Sequence, residues 1–146
     1  MASEVETLLP HRAPFLFVDR VRERTEGRIV TQWRVPEDLD CFRGHYPGRP
    51  VLPGVILCEL AFQSGAILAG AGGRGDRGGI PVLARIEDAR FKHTVAPGDE
   101  LEAEVELVER LGGAVFLRAT VRRGARAVLH VRFVLARAAG GGEERD

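Results

Sequence analysis

The stretch Gly44-His-Tyr-Pro-Gly-Arg-Pro-Val-Leu-Pro-Gly-Val-Ile-Leu-Cys-Glu59 gathers the residue types best suited to proton chemistry in this chain. His45 stands in a proline-rich loop, Gly54 follows the last of those prolines, and Glu59 is the only carboxylate in an apolar run. Singly, each has a plain structural explanation. Together they make a set. Imidazole exchanges protons near neutral pH, so a neutral His45 can serve as a base. An ionised glutamate in apolar packing costs several kcal/mol unless it is paired, neutralised or facing a cavity. A desolvated Glu59 can therefore keep its proton and act as an acid. Base, acid and amide donors suit the removal of water from a β-hydroxyacyl thioester: one group takes the α-proton, a second protonates the leaving hydroxyl, and donors hold the enolate oxygen.

These residues need a loop leading into a helix. Pro47, Pro50 and Pro53 exclude regular helix or central strand over 41–54. From Pro53 the run Val-Ile-Leu-Cys-Glu-Leu-Ala-Phe-Gln-Ser-Gly-Ala-Ile-Leu-Ala predicts a helix, with proline where the first turn tolerates it and glycines after Ala69 to end it. Its apolar residues lie nearly all round, so the helix is buried. The amides of Gly54 and Val55 fall in the first turn, where N–H groups lack helical partners and the dipole is positive, and can hold the enolate oxygen. Glu59 is five residues beyond Gly54, about 7.5 Å along the axis. Gln63, one turn further on, either orients Glu59 or serves as a core or interface amide.

The rest of the chain alternates with a period of two. Phe15–Val21 and Ile29–Val35 are β-rich runs separated around Gly27, Pro81–Phe91 is another, and in Leu101–Leu107 glutamates alternate strictly with apolar residues. Ala114–Val121 and Ala127–Leu135 alternate likewise, and the glycine turns Gly112-Gly113 and Arg123-Gly124 predict antiparallel hairpins. About six strands and one buried helix give an α+β architecture in which a curved antiparallel sheet wraps the helix. The expected organisation is one domain over residues 1–139 with a solvated tail over 140–146.

Composition narrows the function classes. The 146 residues carry 45% hydrophobic and 29% charged types, enough for one domain with a true core. Lys plus Arg (21) equal Asp plus Glu (21), which argues against a general nucleic-acid binder. Lys92 is the only lysine and asparagine is absent. Cys41 and Cys58 lack zinc-ligand spacing and are expected as reduced, packed thiols. The acidic start MASEVETLLP lacks the apolar core of a secretory signal, and Val55–Ala71 is short for a bilayer span, so a cytoplasmic location is expected.

The chain resembles the 3-hydroxyacyl-[acyl-carrier-protein] dehydratases of FabZ type over roughly residues 5–136. Leu9-Pro-His-Arg-Ala-Pro-Phe-Leu-Phe-Val-Asp-Arg-Val21 resembles the opening segment of that family. Gly44–Gln63 resembles its histidine loop and glutamate helix, and Ile86–Lys92 with Pro97-Gly-Asp99 its later signature. The resemblance implies a hotdog fold, no cofactor, a homodimer as minimal active unit that is commonly built into hexamers, and acyl carrier protein as partner. It also implies that His45 of one subunit meets Glu59 of the other. Arg85 stands where the family usually has glycine and Phe62 where a small residue is usual; either would narrow or charge the acyl channel.

Rival readings are a hotdog acyl thioesterase, a non-catalytic acyl-thioester binding subunit, a specialised polyketide-pathway dehydratase, and enoyl isomerisation in the same site. Gly70-Ala-Gly-Gly-Arg-Gly75 matches G-x-G-x-x-G but follows a helix, which argues against dinucleotide binding. His11, His93 and His130 are expected as structural or surface residues, Arg122, Arg123 and Arg126 as solubilising turn residues, and the glutamates of 100–106 as a solvated strand face. Arg43, Arg49, Arg90 and Lys92 are the cations placed to meet an acidic carrier.

Overall fold

The alternating acids of the second half fold as read, in strands with one dry and one wet face. The computed structural model describes residues 3–70 and 80–137. In β4 (Glu100–Leu111) Leu101, Ala103 and Val105 are buried while Glu102, Glu104 and Glu106 take the solvent side. β5 (Ala114–Arg123) and β6 (Arg126–Arg137) repeat the pattern, and the turns between them use Gly112 and Gly124 at positive φ, as tight hairpins demand. With β1 (Arg20–Arg24), β2 (Arg28–Arg34) and β3 (Pro81–Phe91) they form one antiparallel sheet in the order β1-β2-β4-β5-β6-β3.

The long helix α2 (Gly54–Leu68) lies in the sheet's concave face, capped by Pro53 as its sequence requires. Every residue from Leu60 to Leu68 is buried, packed on β2 to β6. Its polar residues are satisfied inside: Ser64 Oγ donates to the Leu60 carbonyl (2.7 Å) and lies 2.7 Å from Thr31 Oγ1 on β2. No helix among the described residues is long and apolar enough to cross a membrane.

The first third departs from expectation. Phe15–Phe17 are not strand, and β1 begins only at Arg20. The cause is a competing partner: the Phe17 N–H donates to Gln63 Oε1 (2.8 Å), and the Phe15 carbonyl accepts from Gln63 Nε2 (3.2 Å), so both groups are spent on a side chain of α2. The acidic lead forms a short helix α1 (Glu4–Leu8), closed by a capping box in which Ser3 and Glu6 exchange side-chain-to-backbone hydrogen bonds. The proline loop opens with a single 3-10 turn over Asp40–Arg43.

Arginines and glutamates interlock across the solvent face. Glu104 accepts from Arg28 (2.7 Å) and Arg122 (3.1 Å), Arg118 pairs with Glu106 (2.9 Å), and Arg22 with Glu102. The hydrogen bonds from Arg28 and then Arg122 hold the Glu104 carboxyl below its ordinary range. Arg122 and Arg123 are therefore more than solubilising turn residues, since Arg123 donates to the Thr94 carbonyl (2.6 Å) and reaches Asp99 (3.3 Å). The expected tail over 140–146 lies outside the described residues, as do five of the six positions of the Gly70–Gly75 motif.

Candidate active site

Pro47, Pro50 and Pro53 shape a loop that folds back on itself at His45. The Val51 N–H donates to the His45 carbonyl (3.0 Å), and His45 Nδ1 lies 2.9 Å from the Val51 carbonyl oxygen. A carbonyl only accepts, so Nδ1 carries the hydrogen and Nε2 of the neutral ring keeps the lone pair. The ring is further fixed by stacking on Tyr46 at 4.2 Å between centroids. This is the tautomer and rigidity a base requires.

At the start of α2, the helical ladder begins with the Ile56 and Leu57 amides, which donate to the Pro53 carbonyl (3.0 and 3.2 Å). The Gly54 and Val55 amides stand ahead of it, as an anion-holding pair must. A Cβ at Gly54 would sit 2.9 Å from Phe91 Cε1, so any side chain there would have to displace that ring. Val55 is exposed (74%).

Glu59 is not buried in the chain as its apolar neighbours suggest. Its side chain is 21% exposed and faces a cavity of about 340 Å³, whose lining includes His11, Phe62, Gln63, Ala66, Val82, Leu83 and Leu135. A depression of about 380 Å³ on the charged sheet face, around Arg118 and Arg132, is lined by Arg90 and Lys92 but by none of His45, Gly54, Val55, Glu59 and Gln63. Gln63 is fully buried and settles its own orientation: Oε1 takes the Phe17 N–H, which leaves Nε2 to donate to Glu59 Oε2 (3.2 Å) and the Phe15 carbonyl. Gln63 is thus both a core amide and a Glu59 partner.

His11 was the residue that sequence reasoning missed. It lies at the cavity with Nε2 3.9 Å from Glu59 Oε2, not on an unrelated surface. The available signal was its place in Leu9-Pro-His-Arg, a segment rigid enough to lay a ring against the α2 carboxyl. Arg85 instead pairs with Glu87 (3.0 Å) and is not among the cavity's lining residues, whereas Phe62 is. Of the four cations expected to meet a carrier, Arg43 pairs with Asp40 (2.5 Å) and Arg90 with Asp88 (3.2 Å). Among the described residues no hydrogen bond or ion pair joins His45 to Glu59 within the chain.

Cys58, beside Glu59, is buried and unpaired with Cys41. Burial pushes its thiol up to about 11. Folded Cys58 should therefore hold roughly a hundredfold less thiolate at pH 8 than a free thiol. Mass-spectrometric alkylation at that pH should label it far more slowly in the folded than in the urea-unfolded protein; equal rates would contradict the packing. Because the folded value is raised, this thiol's contribution to stability is complete below its unfolded value near 9 and is lost as pH rises toward 11.

Comparison with solved structures places this architecture among the hotdog folds. The chain superimposes on the dehydratase heterocomplex ApeI:P from Xenorhabdus doucetiae with a TM-score of 0.77, covering 96% of this chain and 94% of that one at 16% identity. The ApeI dehydratase family profile matches residues 21–127. The 3-hydroxyacyl-[acyl-carrier-protein] dehydratase FabZ of Clostridium perfringens is 42% identical over 118 residues, 81% of this chain and 84% of that protein. The FabZ of Actinobacillus succinogenes is 45% identical over 123 residues, 82% of each. The chain belongs to the FabZ family of hotdog dehydratases.

Proposed function

We propose that this chain is a hydro-lyase that converts (3R)-hydroxyacyl thioesters on acyl carrier protein into trans-2-enoyl thioesters and water, in fatty-acid or related acyl-chain biosynthesis in the cytoplasm. The observation that carries the reading is the Glu59 carboxyl, held by Gln63 at an apolar cavity. His45 Nε2 takes the α-proton, and the Gly54 and Val55 amides hold the charge that moves onto the thioester oxygen. Glu59 gives its proton to the β-hydroxyl, the C–O bond breaks, and water leaves. The imidazolium proton then returns to the carboxylate through solvent, restoring both groups.

A homodimer completes the site in this reading, with His45 of one protomer facing Glu59 of its partner. Edge strand β3 supports it, because Val82, Leu83, Ile86 and Phe91 are 41–52% exposed there and an uncovered apolar edge is an association surface. Three such dimers would form a hexamer.

The test is mass spectrometry on a hydroxyacyl-carrier substrate. Loss of water with the thioester intact is expected. Release of free carrier thiol would instead indicate a thioesterase, and binding without turnover a binding subunit.

A further inference from the structure

Glu59, Phe62, Gln63 and Ala66 share one face of α2 by their i, i+3, i+4, i+7 spacing. All four line the cavity, which therefore follows the helix for roughly 10 Å away from the carboxyl. Its polar groups, His11, Glu59 and Gln63, gather at one part of the helix face, and Val82, Leu83 and Leu135 provide an apolar wall. Phe62 is 7% exposed and meets Phe133 edge-on at 4.8 Å. Phe133 is itself fully buried and presses on the backbone of α2, where a Cβ at Gly65 would lie 2.9 Å from its Cζ and 3.3 Å from Leu117 Cδ1. The ring of Phe62 is thus backed by a second ring that is backed by helix and sheet. In an interior packed to crystal density it has nowhere to retreat.

We propose that Phe62, braced by Phe133, selects the chain length taken by this enzyme: its fixed ring narrows the space open to the acyl tail one turn beyond Glu59 and makes shorter chains the preferred substrates. The proposal rests on the dehydratase reading above and adds to it the residue that selects among substrates. A flexible leucine or methionine there would yield to a longer tail, whereas the aromatic pair does not. Removing the ring opens an apolar void on the order of 100 Å³ next to the cavity, the kind of dry space that accepts hydrocarbon.

The experiment measures kcat/KM for straight-chain (3R)-hydroxyacyl carrier substrates of graded length with wild type, Phe62→Ala, Phe62→Leu and Ala66→Leu. Wild-type efficiency should fall off beyond a defined length. In Phe62→Ala that fall-off should move to longer chains by several carbons, raising the long-to-short ratio by about tenfold or more. Phe62→Leu should shift it less and serves if the alanine variant fails to fold. Ala66→Leu, which fills the same cavity, should move the fall-off to shorter chains. Val105→Ala weakens the core on β4 away from Phe133 and without lining the cavity, and should leave the ratio unchanged. An unchanged length profile in both Phe62 variants, or an equal shift in Val105→Ala, overturns the proposal while leaving the dehydratase reading intact. A wild type that dehydrates no length overturns the dehydratase reading itself.

Discussion

Glu59→Gln lowers the rate of dehydration by about a hundred- to ten-thousand-fold and leaves the fold as it was; that is the expected result of the most informative single substitution. The reasoning rests on what the change preserves. Glutamine has the shape of glutamate, and its carbonyl oxygen can accept the same hydrogen bond from Gln63 Nε2 that Glu59 Oε2 now accepts. The contacts of Gln63 to Phe15 and Phe17 are untouched. What disappears is the proton that the leaving hydroxyl needs. His45→Ala should cost a comparable factor, but it also removes the hydrogen bond to the Val51 carbonyl and so disturbs the loop. The measurement is kcat on a hydroxyacyl-carrier substrate beside the unfolding midpoint. Near-normal turnover by a folded Glu59→Gln variant would remove the carboxyl from the mechanism.

Activity reappears when the two inactive variants are mixed. If each site takes His45 from one protomer and Glu59 from the other, a hybrid of His45→Ala and Glu59→Gln chains has one intact site and one doubly defective site. Random reassociation makes half of all dimers hybrids, so a mixture that has exchanged subunits should recover about a quarter of wild-type activity, from a background near zero. The chain itself motivates the experiment, since His45 hydrogen-bonds to Val51 and Glu59 to Gln63, and no hydrogen bond or ion pair links the two among the described residues. No recovery after demonstrated subunit exchange would mean that each protomer carries its own pair.

The periodic parts of this architecture were legible in the sequence, and the parts set by one side chain were not. β4 announced itself through alternating glutamates, both hairpins through their glycines, and α2 through the apolar run behind Pro53, because each depends on local pattern alone. β1 was misplaced because Gln63, 46 and 48 residues away in the chain, outcompetes a strand for the backbone of Phe15 and Phe17. The expected site residues of the loop and helix were readable as residue types. His11 carries only the weak signal of its place in Leu9-Pro-His-Arg, and its 3.9 Å approach to the Glu59 carboxyl depends on how the N-terminal segment folds. The capping box at Ser3 and Glu6 is legible in the spacing of those two residues.

The Gln63 amide ties two matters together. The bonds that anchor Phe15 and Phe17 to the central helix come from the same group that holds the Glu59 carboxyl. Fraying of the amino-terminal strap would release that amide and leave the carboxyl without its neighbour, so heat should extinguish turnover before the sheet melts. On the proposed mechanism the strap is a fuse: activity measured against temperature should be lost below the midpoint at which the sheet's circular-dichroism signal melts.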